Sequence, residues 1–259
     1  MPRYKLTVAY DGTNFHGWQK QHPPETEPLR TVQGVLEDAI SHVMREPIHI
    51  VGASRTDAGV HARGQIACFT SDREIPLEKI PAAITSRLPD DVQVLGAEIV
   101  HPEFSPISEC TGKGYRYTIA YGRRLGITKP LFERHFVTWT AYELDAKKMH
   151  QAAQYLVGEH DFASFTRLNH GRESTVREVY ECTVIESGER EVQIDISGNG
   201  FLYNMVRIMG GTLLDVGRGK YEPEKVKKIV EARNREAAGP TLPPEGLCLE
   251  WVTYEDEPS

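Results

Sequence analysis

The chain has 259 residues, 39% hydrophobic and 26% charged, the make-up of a globular protein with its own core rather than a disordered one. At 29.2 kDa it can form one large or two modest domains and bury roughly three-quarters of its surface without disulfide or metal staples. No apolar run approaches the roughly 18 residues that would span a membrane, and a formal net charge of −7 argues, taken globally, against a nucleic-acid binder.

Short β-rich runs alternate with helical ones. Tyr4 to Tyr10, Ile48 to Ala53, Gln65 to Thr70 and Val92 to Ile99 read as strands by alternation and β-branched content. Val32, Val35, Leu36, Ala39, Ile40 and Val43 make one apolar stripe, which predicts a helix ending before Pro47. A weaker helix with an internal proline is expected from Pro76 to Leu88. In the second half, Asp145 is a suitable N-cap for a helix carrying Met149, Ala152, Ala153, Leu156 and Val157. Val179 to Glu186 and Glu191 to Ser197 suit a hairpin, followed by an apolar helix from Phe201 to Val216. Another helix has Pro223 in its first turn, and Leu247 to Tyr254 forms a closing strand. This pattern predicts an α+β protein of two related α/β subdomains, residues 1–105 and 106–259, with mainly antiparallel sheets and helices packed on one face.

The four cysteines, Cys68, Cys110, Cys182 and Cys248, lack metal-ligand spacing and read as free thiols in a reducing compartment. The first ten residues lack a secretory apolar segment, so the cytoplasm is the expected location. Charge is segregated. Between Cys110 and His135, Lys113, Arg116, Arg123, Arg124, Lys129 and Arg134 face only Glu133, a stretch that suits either a polyanion or an ordinary solvated face. Two polar loops stand out, His22 to Leu29 and Thr166 to Thr175. The second carries Arg167 and Arg172 and is either a phosphate contact or plain connection.

Three segments could carry chemistry. Gly52 to Ala62, GASRTDAGVHA, places Arg55 and Asp57 two apart between strand patterns, so that in an extended segment they can pair. The arginine would keep Asp57 ionised as a nucleophile or electrostatic stabiliser, or else Asp57 orders a turn with Gly59 at positive φ. Tyr115 to Tyr121, YRYTIAY, puts Tyr115, Tyr117, Ile119 and Tyr121 on one strand face and Arg116 on the other, either a stacking platform for an unstacked base or cross-strand packing. Gly198 to Gly211, GNGFLYNMVRIMGG, places Asn204 and Arg207 on one edge of an apolar helix, where a buried arginine needs an acid or a phosphate and one at the rim needs nothing.

Together with VAYDGTNFHGWQ at Val8 to Gln19, GEHDFASF at Gly158 to Phe165 and AAGPTLPPEGLCL at Ala237 to Leu249, these strings resemble, in the same order, the tRNA pseudouridine synthase A family. The resemblance spans nearly the whole chain and implies the pseudouridine synthase fold. It also implies isomerisation of uridine to pseudouridine at positions 38 to 40 in the anticodon stem-loop of tRNA, by a homodimer without metal or organic cofactor. By the same resemblance the nucleophile falls on Asp57, the preceding arginine on Arg55, the tyrosine that stacks on the target uracil on Tyr115, and the basic partner of the aspartate on Arg207. The expected substrate-binding residues are Tyr115, Lys113, Arg116, Arg123, Arg124, Arg167 and Arg172. His61 and His160 read as structural. Some relatives differ near Ile107 and Cys110, so no RNA contact is assigned to that turn, and GASR replaces a shorter GR before TDAG while keeping Arg55. Two rival readings are a non-catalytic tRNA-binding or RNA-folding protein, indifferent to loss of Asp57, and a hydrolase, for which no second acid motif is present.

Overall fold

The computed structural model describes residues 1–21, 27–122, 129–167 and 174–255. It divides into two compact units, Met1–Thr111 with Cys248–Ser259, and Gly112–Leu247. The closing segment thus belongs with the first unit, whereas the sequence pattern alone ran the second subdomain to residue 259. The reason is a long-range pairing: the last strand lies parallel to a strand of the first unit, with Cys248 opposite His61 and Leu249 opposite Ala62.

The first unit contains β1 (Arg3–Tyr10), α1 (Val32–Met44), β2 (Val51–Gly52), β3 (His61–Thr70), α2 (Ile80–Thr85) and β4 (Val92–Val100). The second is built on β5 (Cys110–Tyr121), whose first two residues fall in the first unit, with β6 (Thr138–Thr140), α3 (Ala146–Ala153), β7 (Gly158–Asp161), β8 (Val176–Gly188), β9 (Glu191–Gly198), α4 (Met205–Gly217) and α5 (Lys225–Ala232). Strand β10 (Leu247–Tyr254) then returns to the first unit. In the first unit the strands run β4-β1-β3-β10, with β2 on β3, and all but the β3/β10 pair are antiparallel. In the second they run β5-β9-β8-β7 in antiparallel order, with β6 parallel to β5. The α+β expectation and its mainly antiparallel sheets hold.

Local chemistry accounts for the element ends. Thr31 caps α1 by accepting from Gly34 N at 3.3 Å, and the helix stops at Arg45 in the left-handed region, φ 54, two residues before Pro47. Asp145 caps α3 by accepting from Lys148 N at 3.0 Å. The expected strand from Ile48 to Ala53 is reduced to Val51–Gly52. Its Ile50 main chain is taken instead by side chains of α1: Ile50 N donates to Glu37 Oε1 at 3.0 Å, and Gln33 Nε2 donates to Ile50 O at 3.2 Å. Glu37, buried on α1, also takes Lys20 Nζ at 2.9 Å, so its charge is paired. The helix expected from Phe201 begins only at Met205, because Asn204 adopts a left-handed conformation, φ 59, that no helix interior can contain. Pro223 lies just outside α5 rather than in its first turn, its carbonyl accepting from Val226 N at 3.1 Å. All four cysteines are free, and Cys68 and Cys182 are buried.

Candidate active site

In the first unit, residues 53–60 form a loop between β2 and β3 whose main chain is tied down on both sides of Asp57. Ser54 N donates to Gln65 Oε1 at 3.1 Å, and Gln65 Nε2 returns a bond to Ser54 O at 2.6 Å. The Thr56 hydroxyl pairs with Tyr10 Oη at 2.7 Å, and Thr56 O accepts from Trp18 N at 3.1 Å. Beyond Asp57, Gly59 N donates to Phe15 O at 3.3 Å, and Val60 N closes a turn onto Asp57 O at 3.1 Å. Gly59 takes φ 80, the conformation that the third position of such a turn demands and that glycine adopts freely. The turn is therefore closed by a main-chain bond, and the Asp57 side chain is half-buried. Loops are usually the mobile part of a fold, but this one holds its carboxylate on a fixed backbone.

Arg55 does not pair with Asp57 among the described residues. Thr56 points inward to Tyr10, which turns Arg55 out to solvent, and the chain leaves the extended conformation at Asp57, where the turn begins. His61 is buried, and its Nδ1 accepts from Gly12 N at 3.0 Å, with Asp11 Oδ1 at 3.2 Å, so the ring braces the start of β3 against the loop after β1. Gln65 is the feature that sequence reading passed over. A fully buried glutamine inside an apolar strand is the signal that could have exposed it, since such a group must find partners. Replacing it with Met, similar in shape but without the amide, removes both bonds to Ser54. The expected cost is about 2 kcal/mol of stability, together with reduced turnover, checked by urea denaturation and by activity at a temperature where the variant stays folded.

In the second unit, β5 alternates as expected. Tyr115, Tyr117 and Ile119 are buried on one face, and Arg116 lies on the other opposite Asp195 of β9. Tyr115 meets Phe201 edge to face, with ring centroids 5.3 Å apart. Tyr117 is wholly committed to the core: its hydroxyl bonds Thr138 Oγ1 and Pro243 O, and burial pushes its pKa up. Arg116 makes a two-pronged ion pair with Asp195 at 2.7 and 3.0 Å. Lys129 pairs with Glu245 at 3.4 Å, and Arg134 donates to Leu131 O at 2.6 Å. Two charges of the basic stretch thus have carboxylate partners. Lys113 is half-buried on β5, Arg167 is exposed, and Arg123, Arg124 and Arg172 lie outside the described residues.

Arg207 lies in the first turn of α4, half-buried, and is held by the chain that follows α5. Its Nε donates to Leu242 O at 2.7 Å and one terminal nitrogen donates to Asn204 Oδ1 at 2.9 Å, while Leu242 N donates back to Arg207 O at 3.2 Å. Asn204 and Arg207 do share an edge, as their spacing predicts. The segment 239–242 that carries Leu242 is seated directly on α4. Gly239 N donates to Thr212 Oγ1 at 2.9 Å, and a Cβ on Gly211 would stand 1.9 Å from Pro240 O. Arg235 ties the same segment from outside, donating to Gly239 O at 2.9 Å and Thr241 Oγ1 at 3.2 Å. Gly211→Ala should therefore displace this strap and with it the carbonyl that aims Arg207. It is expected to cost about 3 kcal/mol, read as a fall in melting temperature, and to lower turnover even where the protein is folded.

The family model described as tRNA pseudouridine synthase matches residues 6–104 and 152–255. The first stretch contains Arg55 and Asp57 and the second contains Arg207, with Tyr115 between them. A tRNA pseudouridine synthase A of Bacillus pumilus (strain SAFR-032) is 44% identical over 258 residues, covering 98% of this chain and 100% of the relative. One of Pelobacter propionicus is 44% identical over 255 residues, with 98% and 100% covered. Another, of Caldicellulosiruptor saccharolyticus, is 43% identical over 249 residues, covering 96% and 98%. Among solved structures, a chain of a Cbf5-Nop10-Gar1 complex is similar with a TM-score of 0.39 and 13% identity, covering 96% of this chain and 59% of that one.

Proposed function

This chain belongs to the tRNA pseudouridine synthase family, and from that membership we propose that it converts uridine to pseudouridine at positions 38 to 40 in the anticodon stem-loop of tRNA, with Asp57 as the nucleophile. The observation that carries the chemical assignment is the loop itself. Main-chain bonds with Trp18 and Phe15 fix the residues on both sides of Asp57, and the turn is closed by Val60 N on the Asp57 carbonyl. A carboxylate carried on a backbone held on both sides is presented at a constant position, which is what a nucleophile requires.

The reaction is an isomerisation. The N1–C1′ bond breaks, the uracil turns in place, C5 bonds to C1′, the proton on C5 leaves and N1 gains one, so no oxidant, reductant or second substrate is consumed. Attack at C1′, proton removal giving a glycal, and addition to uracil C6 all employ the same carboxylate. The target nucleotide must first leave its stack, at a cost of a few kcal/mol that phosphate contacts and ring contact offset. Tyr115 is assigned to the uracil, as the ring that bounds it and as the group that receives the C5 proton. Arg207 is assigned to support the aspartate's negative charge, and Arg55, exposed beside it in sequence, to the RNA. Lys113, Arg167 and the bases outside the described residues are assigned to phosphates. Arg116 can join them only by giving up part of its pairing with Asp195.

The proposal includes a homodimer acting in the cytoplasm, where tRNA is made and used. Among the described residues no helix is long and apolar enough to cross a membrane. The test is to incubate the protein with unmodified tRNA transcripts carrying uridine at positions 38, 39 and 40, and to map pseudouridine by carbodiimide adducts and reverse transcription. Signals confined to those positions support the assignment. Signals only in another arm would overturn the anticodon reading while leaving the isomerase class intact.

A further inference from the structure

Three stretches of the second unit are stitched together at buried hydroxyls. Ser164 Oγ accepts from Asn234 N at 2.8 Å and donates to Ile229 O at 2.6 Å, while Thr166 Oγ1 donates to Tyr203 O at 3.1 Å. Both Ser164 and Thr166 are almost fully excluded from solvent. Arg167 follows Thr166 and Arg235 follows Asn234 in the chain, and Tyr203 supplies the carbonyl that Thr166 bonds, so the knot fixes the main chain at or next to two arginines and a tyrosine.

Tyr203 is 51% exposed, at the threshold of α4, beside core residues Leu202 and Met205. Arg235 spends two of its five N–H groups on Gly239 O and Thr241 Oγ1. Among the described residues neither Arg167 nor Arg235 has a carboxylate partner. Burial, and then the neighbouring Arg167 charge, draw the Arg235 guanidinium below its usual pKa. An anion that reached both guanidinium groups would gain charge-assisted bonds from each.

We infer that Arg167, Tyr203 and Arg235 form a grip for the RNA, the Tyr203 ring stacking on an unpaired base and the two guanidinium groups taking the adjoining phosphodiester. The inference rests on the RNA substrate proposed above and adds Tyr203 and Arg235 to its binding surface. Aromatic stacking with flanking arginines is the usual solution for holding single-stranded loops, because every base offers a ring face.

The test is equilibrium binding of an unmodified tRNA transcript to the full-length protein over a series of salt concentrations. Tyr203→Ala should raise Kd about tenfold, and Tyr203→Phe should stay near wild type, since the ring and not the hydroxyl is used. Arg167→Gln should reduce the slope of log K against log salt by about one, and Arg235→Gln likewise. If Arg235→Gln fails to fold, Arg235→Lys serves in its place, keeping the slope while raising Kd because the fork is lost. A wild type that binds, with Tyr203→Ala unchanged in Kd and Arg167→Gln unchanged in slope, would overturn the grip alone. A wild type that binds no tRNA would overturn the RNA reading with it.

Discussion

Asp57→Asn should lower single-turnover formation of pseudouridine by on the order of 10⁴-fold, with tRNA affinity within about twofold of wild type. The substitution changes one carboxylate oxygen to an amide nitrogen, with almost the same shape, and removes the nucleophile. Its structural cost is small, because the turn at residues 57–60 is closed by Val60 N on the Asp57 carbonyl, and the flanking residues are fixed by Gln65, Tyr10, Trp18 and Phe15. An unchanged melting temperature, measured alongside, separates loss of chemistry from loss of fold. A variant that retained substantial turnover would remove Asp57 from the reaction and return it to the role of a turn residue.

Arg207→Ala is the second large effect, expected at on the order of 10²-fold in kcat with a smaller change in tRNA affinity. A guanidinium bonded to a main-chain carbonyl and to Asn204 Oδ1 is held in one orientation, so its charge is available without reorganisation when charge develops in the reaction. Arg207→Lys should recover only part of the loss, because an ammonium keeps the charge but cannot reproduce the two-pronged hold on Leu242 and Asn204. The measurement is kcat and KM for a single tRNA with all three proteins. A rise in KM with kcat unchanged would make Arg207 a phosphate anchor instead.

Local patterns in the sequence were sufficient where a structural element depends on its own residues. The apolar stripe of α1, the Asp145 cap of α3 and the limits of β10 needed only periodicity and capping chemistry. Failures came where a distant group intervened. The run from Ile48 has the composition of a strand, but Gln33 and Glu37 of α1 take the Ile50 main chain, and only the fold brings them there. The apolar helix starts four residues late because Asn204 takes a left-handed turn, which no periodicity predicts. The candidate site divides the same way. Asp57, Tyr115 and Arg207 could be picked out from local residue types, and the resemblance to a family gave each a role. What holds them could not be read, since Gln65 reaches back 11 residues to Ser54, Arg207 reaches forward 35 to Leu242, and Arg116 meets Asp195 across 79. For the same reason the basic stretch looked freer to meet RNA than it is.

The most direct test of the central claim is release of tritium from tRNA labelled at uracil C5, with wild-type protein and no added cofactor. Isomerisation replaces the C5 proton by C1′, so the account predicts tritium in solvent, in proportion to pseudouridine formed, with no free uracil. Tight tRNA binding without tritium release would contradict it and leave the chain as a binding protein, and free uracil still carrying its tritium, with none in solvent, would make it a hydrolase.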